Sequence, residues 1–233
     1  MTESLPFYVT AVFVLTTILT IGLLFRTFPR MRPVPFASQL LSFTVPFWLV
    51  LSAILSIGGF YSHFENTPPR IMVFGLLPPL LLIVGYFVIF ADFVDRLSLR
   101  GLTWLSVVRI PVEIVLLWLS QGGLVPQDMT FEGRNIDIVA GLTAPVVAWL
   151  VFRGGRVNKP VLLIWNVLAL ASLVNIVTIA VLSFPTPMQR FGFDHPNVGV
   201  TYFPFIWLPT IIVPAVLFAH LAALWQLARK RDS

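Results

Sequence analysis

Arg109-Ile110-Pro111-Val112-Glu113 sets a guanidinium and a carboxylate four residues apart inside an otherwise apolar run. Four residues is about one helical turn, so the two side chains share a face, with Ser106 and Ser120 in the same narrow arc. The run from Gly101 to Ser120 has the length of a membrane span. At about 1.5 Å per residue, Arg109 lies roughly 12 Å and Glu113 roughly 18 Å above Gly101, astride the middle of a hydrocarbon core about 30 Å thick. A charge meeting lipid there costs about 2.5–3.5 kcal/mol, so the stripe should face the interior of a bundle. Two chemistries fit. One is an Arg109–Glu113 ion pair that fixes packing. The other makes Glu113 a proton or cation site, with Arg109 as counter-charge or anion clamp. Pro111 cannot donate to the carbonyl of Val107, which frees an acceptor and predicts a kink beside the pair.

Other polar groups in apolar segments could complete such a site. Asn175 and Ser172 share a face of the sixth segment, with Asn166 pointing the other way, and His220 in the seventh suits an interhelical hydrogen bond. The substrate or proton candidates are therefore Arg109, Glu113, Asn175 and His220. A second group lies between segments: Arg70, Glu132, Arg134, Asp137, Arg190 and Asp194 could gather an anionic solute at a mouth. The plainer account of two members of that stretch is a helix start, with Asn135 as cap and Asp137 favoured by the dipole. His63, Glu65, Asp194 and His195 offer two imidazoles and two carboxylates for a divalent metal, at spacings that match no metal motif. With no cysteine, thiolate metal sites and thiol catalysis are excluded. A two-histidine haem site is disfavoured because His220 alone lies inside a span. Retinal is excluded because the last segment has no lysine. Nucleophile motifs, phosphate loops and dinucleotide fingerprints are absent, so no cofactor is expected and a non-enzyme is favoured.

The elements that must position these groups are apolar runs at 7–25, 39–61, 71–93, 101–120, 136–152, 160–183 and 204–227. With 58% hydrophobic and 11% charged residues, the chain is too apolar for an ordinary soluble domain. With the N-terminus outside, one side holds Arg26, Arg30, Arg32, Arg96, Arg100, Arg153, Arg156, Lys159, Arg229, Lys230 and Arg231; the other holds only Arg70, Arg134 and Arg190. Basic residues are retained in the cytoplasm, so the expected fold is all-α: an integral-membrane bundle of seven transmembrane helices, N-terminus outside and C-terminus cytoplasmic. Six of the seven tryptophans fall near segment ends, where indole favours the headgroup boundary; Trp48 is the exception. The first segment lacks the basic flank of a signal peptide and reads as a retained helix. Asp92 and Asp95 read as partners of Arg96 and Arg100. The net charge of +5 sits in short cytoplasmic turns, where topology and anionic lipid account for it; nucleic acid is not an expected partner.

No linker interrupts the spans, so residues 1–233 should form one membrane domain. The long stretches 121–135 and 184–203 should cap it on the outer side, and the aromatic residues of the second should fold it down onto the bundle. The motifs GFYSHFENTPPR, RIPVEIVLLWL, MTFEGRNIDIVAGLTAP, LLIWN and the stretch from SFPTPMQRFGFDHPN to FPFIWLP resemble a family of bacterial polytopic inner-membrane proteins with no assigned activity. The resemblance runs from the second segment to the seventh and implies a bacterial inner-membrane location, with no mechanism attached. Three functions stay open: transport or permeation of a small anionic or protonatable solute; a membrane-embedded enzyme using the outer His/carboxylate cluster; and an accessory subunit of a membrane complex. Lipid, a small-molecule ligand and, for the last, a protein are the expected partners.

Overall fold

The computed structural model describes residues 5–153 and 157–229. Arg156, Lys230 and Arg231, which entered the charge count above, lie outside the described residues, as does the start of the chain. Among the described residues, six helices are long and apolar enough to cross a membrane: α1 (Phe7–Arg26), α2 (Phe36–Ile57), α3 (Met72–Ile89), α4 (Leu99–Gln121), α6 (Lys159–Val181) and α7 (Leu208–Arg229). Between them α5, Asp137–Phe152, is apolar but has only 16 residues. At about 1.5 Å per residue it spans roughly 24 Å, less than the others.

Proline shapes three of these helices. Pro78 has no N–H for the carbonyl of Phe74, and α3 opens as a π-turn over Met72–Leu76. The Tyr61 hydroxyl donates to that freed Phe74 oxygen at 3.4 Å. The start of α7 repeats the solution: a π-turn over Leu208–Ile212 precedes Pro214. In α4 the helix tightens to a 3₁₀ turn over Ser106–Val108, just before Pro111. A 3₁₀ turn thus lies beside Arg109, where the sequence predicts a kink.

The two ends of the bundle differ. Thr27, Arg96, Ser98 and Arg229 lie at a basic end, tied by Ser98 N–H to Thr27 O at 2.9 Å and by Arg229 to Asp95 at 2.7 Å. Asp95 thus pairs with α7 rather than with Arg96 or Arg100, because the expected third run stops early: α3 ends at Ile89, and Phe90 turns the chain into the short helix Ala91–Asp95. Arg96 instead donates to the Met31 sulfur at 3.2 Å. The opposite, loop end is closed by the two long connections. Residues 182–207 do fold down: Asn197 N–H donates to Ser183 O at 2.9 Å, and Gly199 N–H to Leu124 O at 2.7 Å. Phe184 is buried, whereas Phe193 is exposed.

The α4 and α7 helices bury most of their length, whereas α2 and α3 bury only about a fifth of theirs. Ile54, Val88, Ile89, Ile164 and Leu168 are more than half exposed, so the outer surface of the bundle is apolar. The polar residues that look chemically active must then be sought on α4, α7 and the helices packed on them.

Candidate functional site

Arg109 is 2% exposed and Glu113 is 1% exposed, so the α4 stripe faces inward. Its pairing differs from the simplest expectation. Arg109 Nη1 donates to Asp137 Oδ1 at 2.8 Å, to Ala169 O at 3.1 Å and to Ser172 Oγ at 3.2 Å. Arg109 Nη2 meets His220 Nε2 at 2.8 Å. Glu113 accepts instead from Asn135 Nδ2, at 2.6 Å. The ion pair of α4 is therefore interhelical, Arg109 with Asp137, and the carboxylate one turn away belongs to a separate contact.

Asp137 reaches this depth because α5 starts inside the bundle. The connection before it descends between the helices, burying Val125, Met129, Thr130 and Asn135. Non-helical backbone at such depth must satisfy its own polar groups. Asn135 N–H donates to Thr130 O at 3.3 Å, and Thr130 N–H to Gln127 O at 2.9 Å. The Asn135 side chain does the rest, donating to Met129 O at 3.0 Å and accepting from Asp137 N–H at 2.9 Å. The expected cap thus lies one residue out: Ile136 holds the N-cap position and makes no side-chain cap bond, and Asn135 reaches over to the first N–H of α5. Gly133 makes the turn possible, since a Cβ there would collide with the Gln127 carbonyl. Gly141, one turn into α5, lets the two backbones close: a Cβ would lie 2.9 Å from Ile110 Cγ1 and 3.1 Å from Ile110 N.

The imidazole of His220 is fixed in one tautomer by its neighbours. A guanidinium can only donate, so Nε2 accepts from Arg109 and Nδ1 carries the hydrogen. Nδ1–H then donates to Asn166 Oδ1 at 2.8 Å, whose Nδ2 donates to Leu162 O at 2.8 Å. Asn166 belongs to the network although the sequence reading turned it away. Ala169 centres the inward face of α6, and with about 3.6 residues per turn Asn166 and Ser172 fall roughly 60° to either side. Asn175 lies a further 60° or so beyond Ser172, is exposed, and donates to Arg134 O at 3.1 Å.

The residues expected at the mouth scatter. Asp137 is in the core. Arg134 is exposed, pairs with Asp128 at 3.1 Å and lies over the Phe191 ring at 5.1 Å. Arg70 lies over Phe60 at 5.1 Å. Glu132, Arg190 and Asp194 are exposed, and Arg190 donates to the Gln189 carbonyl at 3.2 Å. His63, Glu65, Asp194 and His195 are not drawn together either: among the described residues no three His, Asp or Glu side chains gather as metal ligands. His63 Nδ1 is 3.1 Å from Gly59 O, while the His195 ring lies against Gly123.

One small cavity adjoins the network. Its volume is about 70 Å³, and it lies between α4, α6 and α7 under Phe184, Asn197 and Val200. Its wall is almost wholly apolar, although Glu113, Asp137 and Asn197 are among the residues around it. Among the described residues, Glu113 Oε2 and Asn197 Oδ1 have no hydrogen-bond partner, and Arg109 Nε and Ser106 Oγ are in the same condition deeper in the bundle.

Fold and site together define an all-helical protein with helices able to cross a membrane and a buried set of one guanidinium and two carboxylates. The chain belongs to the family described as a domain of unknown function, DUF8737, which matches residues 68–228. That stretch contains every member of the network. No curated protein and no solved structure matches the chain.

Proposed function

We propose that this is a multi-pass protein of the bacterial inner membrane that moves protons or a small cation, with Glu113 as the group that takes up and releases them. In this reading the chain crosses the membrane seven times, the short α5 completing its crossing together with the buried connection before it, with the N-terminus outside as the eleven-to-three distribution of basic residues favours. The observation that carries the functional reading is a charge mismatch: two buried carboxylates, Glu113 and Asp137, face one buried guanidinium. An unmatched charge in a low-dielectric interior costs several kcal/mol unless a proton or cation neutralises it. Asp137 is matched by Arg109, which leaves Glu113 to bind the neutralising species. Arg109 does not suit an anion clamp, because both terminal nitrogens of its fork are already engaged. The anionic solute is therefore the weaker branch of the transport reading. The scattered outer histidines and carboxylates lend the enzyme reading no support.

A test is proton flux into proteoliposomes carrying an internal pH-sensitive dye. The reading expects flux in the wild-type protein and its loss in Glu113→Gln. Equal flux in the two, above that of empty liposomes, would remove Glu113 from the pathway. A second reading rests on the saturation of Arg109: it makes the Arg109–Asp137–His220 network a staple in an accessory subunit. In that case neither protein gives flux above empty liposomes, and the chain purifies gently with a second subunit.

A further inference from the structure

A second cavity, of about 190 Å³, lies between α1, α2, α3 and α7, away from the buried charges. Its position follows from how α2 is attached. At the basic end the Tyr86 hydroxyl donates to Ala37 O at 2.8 Å. Toward the loop end Trp207 Nε1 donates to Leu49 O at 3.0 Å, and Ser56 Oγ to Thr201 O at 2.7 Å. The stretch of α2 between these anchors contains Pro46, and its Leu41, Thr44, Val45 and Trp48 form one wall of the cavity. Trp48, the one tryptophan that the headgroup boundary does not explain, has its place there.

Close-packed interiors leave few voids wider than a water molecule, and an empty one forfeits dispersion contacts along its whole lining. The wall is almost wholly apolar, and no Asp, Glu, Lys, Arg or His belongs to it. Three of its four hydroxyls, on Thr20, Tyr86 and Thr210, are turned to the carbonyls of Thr16, Ala37 and Ile206. Water has little to hold it, and a cavity of this kind stays dry while admitting hydrocarbon. A space of about 150 Å³ takes benzene, so this one takes roughly seven or eight carbons.

The surroundings say where such carbons come from. Val45 and Trp48 on α2 and Pro78 and Leu82 on α3 line the cavity and are only half-buried, while Phe47 and Leu81 beside them are more than half exposed. The α2 and α3 walls thus merge with the apolar outer surface, where a bilayer supplies acyl chains. At about 1.5 Å per residue, Leu24 lies roughly 3 Å from the end of α1 and Leu41 roughly 8 Å from the start of α2, so the cavity reaches toward the basic end. Arg26, Arg30 and Arg32 are exposed at that end, a cluster that suits an anionic headgroup.

We propose that one acyl chain of an anionic phospholipid enters this cavity between α2 and α3, with its phosphate at Arg26, Arg30 and Arg32. The proposal goes beyond the reading of Glu113 and requires only that the chain sits in a membrane. The test is residue-level mapping of photoadducts on the full chain in phosphatidylcholine vesicles that carry a trace of phosphatidylglycerol with a diazirine on one acyl chain. Ala215 and Phe218 of α7 line the cavity and are 7% and 5% exposed, so a label reaches them from inside it. Adducts are expected there as well as on the outward Phe47 and Leu81. Ala215→Phe narrows the space and should remove the Phe218 adduct while sparing those on Phe47 and Leu81. Val45→Phe should do the same from α2, with helicity and monodispersity checked for both. The same labelled chain on phosphatidylcholine should mark the cavity roughly tenfold less or weaker still, since three arginines near the headgroup each favour the anion. Wild-type adducts confined to the outer face would overturn the proposal, whatever the variants do. Cavity adducts of equal yield from the two lipids would overturn the anionic occupant.

Discussion

Asp137→Asn and Glu113→Gln are the same chemical change at two buried carboxylates, and they should have very different costs. Asp137 Oδ1 accepts from Arg109 and from Ser172, each at 2.8 Å. Replacing it with an amide leaves the buried guanidinium without its counter-charge, and breaking a buried pair in this way costs about 3–5 kcal/mol. The new amide hydrogens would also need acceptors that Arg109 and Ser172 do not supply. Glu113 stands differently. Gln would keep an oxygen on Asn135 Nδ2 and lose only the unmatched charge, exchanging one unpartnered buried polar atom for another. Its cost should stay within about 1 kcal/mol. The gap is then at least about 2 kcal/mol, or roughly 30-fold in the unfolding equilibrium. Mixed-micelle denaturation followed by far-ultraviolet circular dichroism measures both variants against wild type. Equal destabilisation, or a greater loss in Glu113→Gln, would refute the assignment of Arg109 to Asp137 and with it the charge-mismatch argument.

Three further outcomes follow from the packing. Gly141→Ala should destabilise by about 1–3 kcal/mol in the same assay, because one of the atoms its methyl meets is the Ile110 backbone nitrogen, at 3.1 Å, which cannot rotate away. His220→Phe leaves Asn166 Oδ1 and Arg109 Nη2 short of a partner, at about 1–3 kcal/mol; a double-mutant cycle with Asn166→Leu should show coupling of at least about 0.5 kcal/mol, and additive losses would argue that the 2.8 Å contact is idle. Because the chain has no cysteine, single cysteines report topology cleanly. Met188→Cys at the loop end should react with an impermeant maleimide in intact spheroplasts, and Val157→Cys only after permeabilisation; the reverse pattern would invert the orientation.

The helices were legible because a membrane-length apolar run is a long signal, insensitive to small local choices. Their ends were less so. The break at Phe90 and the late start of α7 at Leu208 depend on short-range backbone geometry, φ −118° and ψ 37° in the first case, within sequences apolar enough to continue. The prolines told more than the hydropathy. The irregular turns of α3, α4 and α7 each sit beside a proline that withholds an N–H.

The α4 stripe was legible for the same reason that it is costly: a charge in an apolar run has to face something. What it faces was not, because the partner lies 28 residues away on a helix whose depth the sequence conceals. Asp137 reads as an interfacial residue if α5 spans the full thickness of the bundle. With 16 residues it does not, and its first turn lies beside Arg109, near the middle of α4. The buried connection before it is the other half of that geometry, since a short helix at depth obliges the chain to enter as irregular backbone. Asn135 is what allows this, meeting Met129 O, Asp137 N and Glu113 Oε1 at once with three of the four hydrogen bonds its amide can make. The residue that satisfies the first N–H of α5 thereby also holds the Glu113 carboxylate. An asparagine followed within two residues by an acid, at the head of an unusually short apolar run, is the sequence signal that would have located both carboxylates in one site.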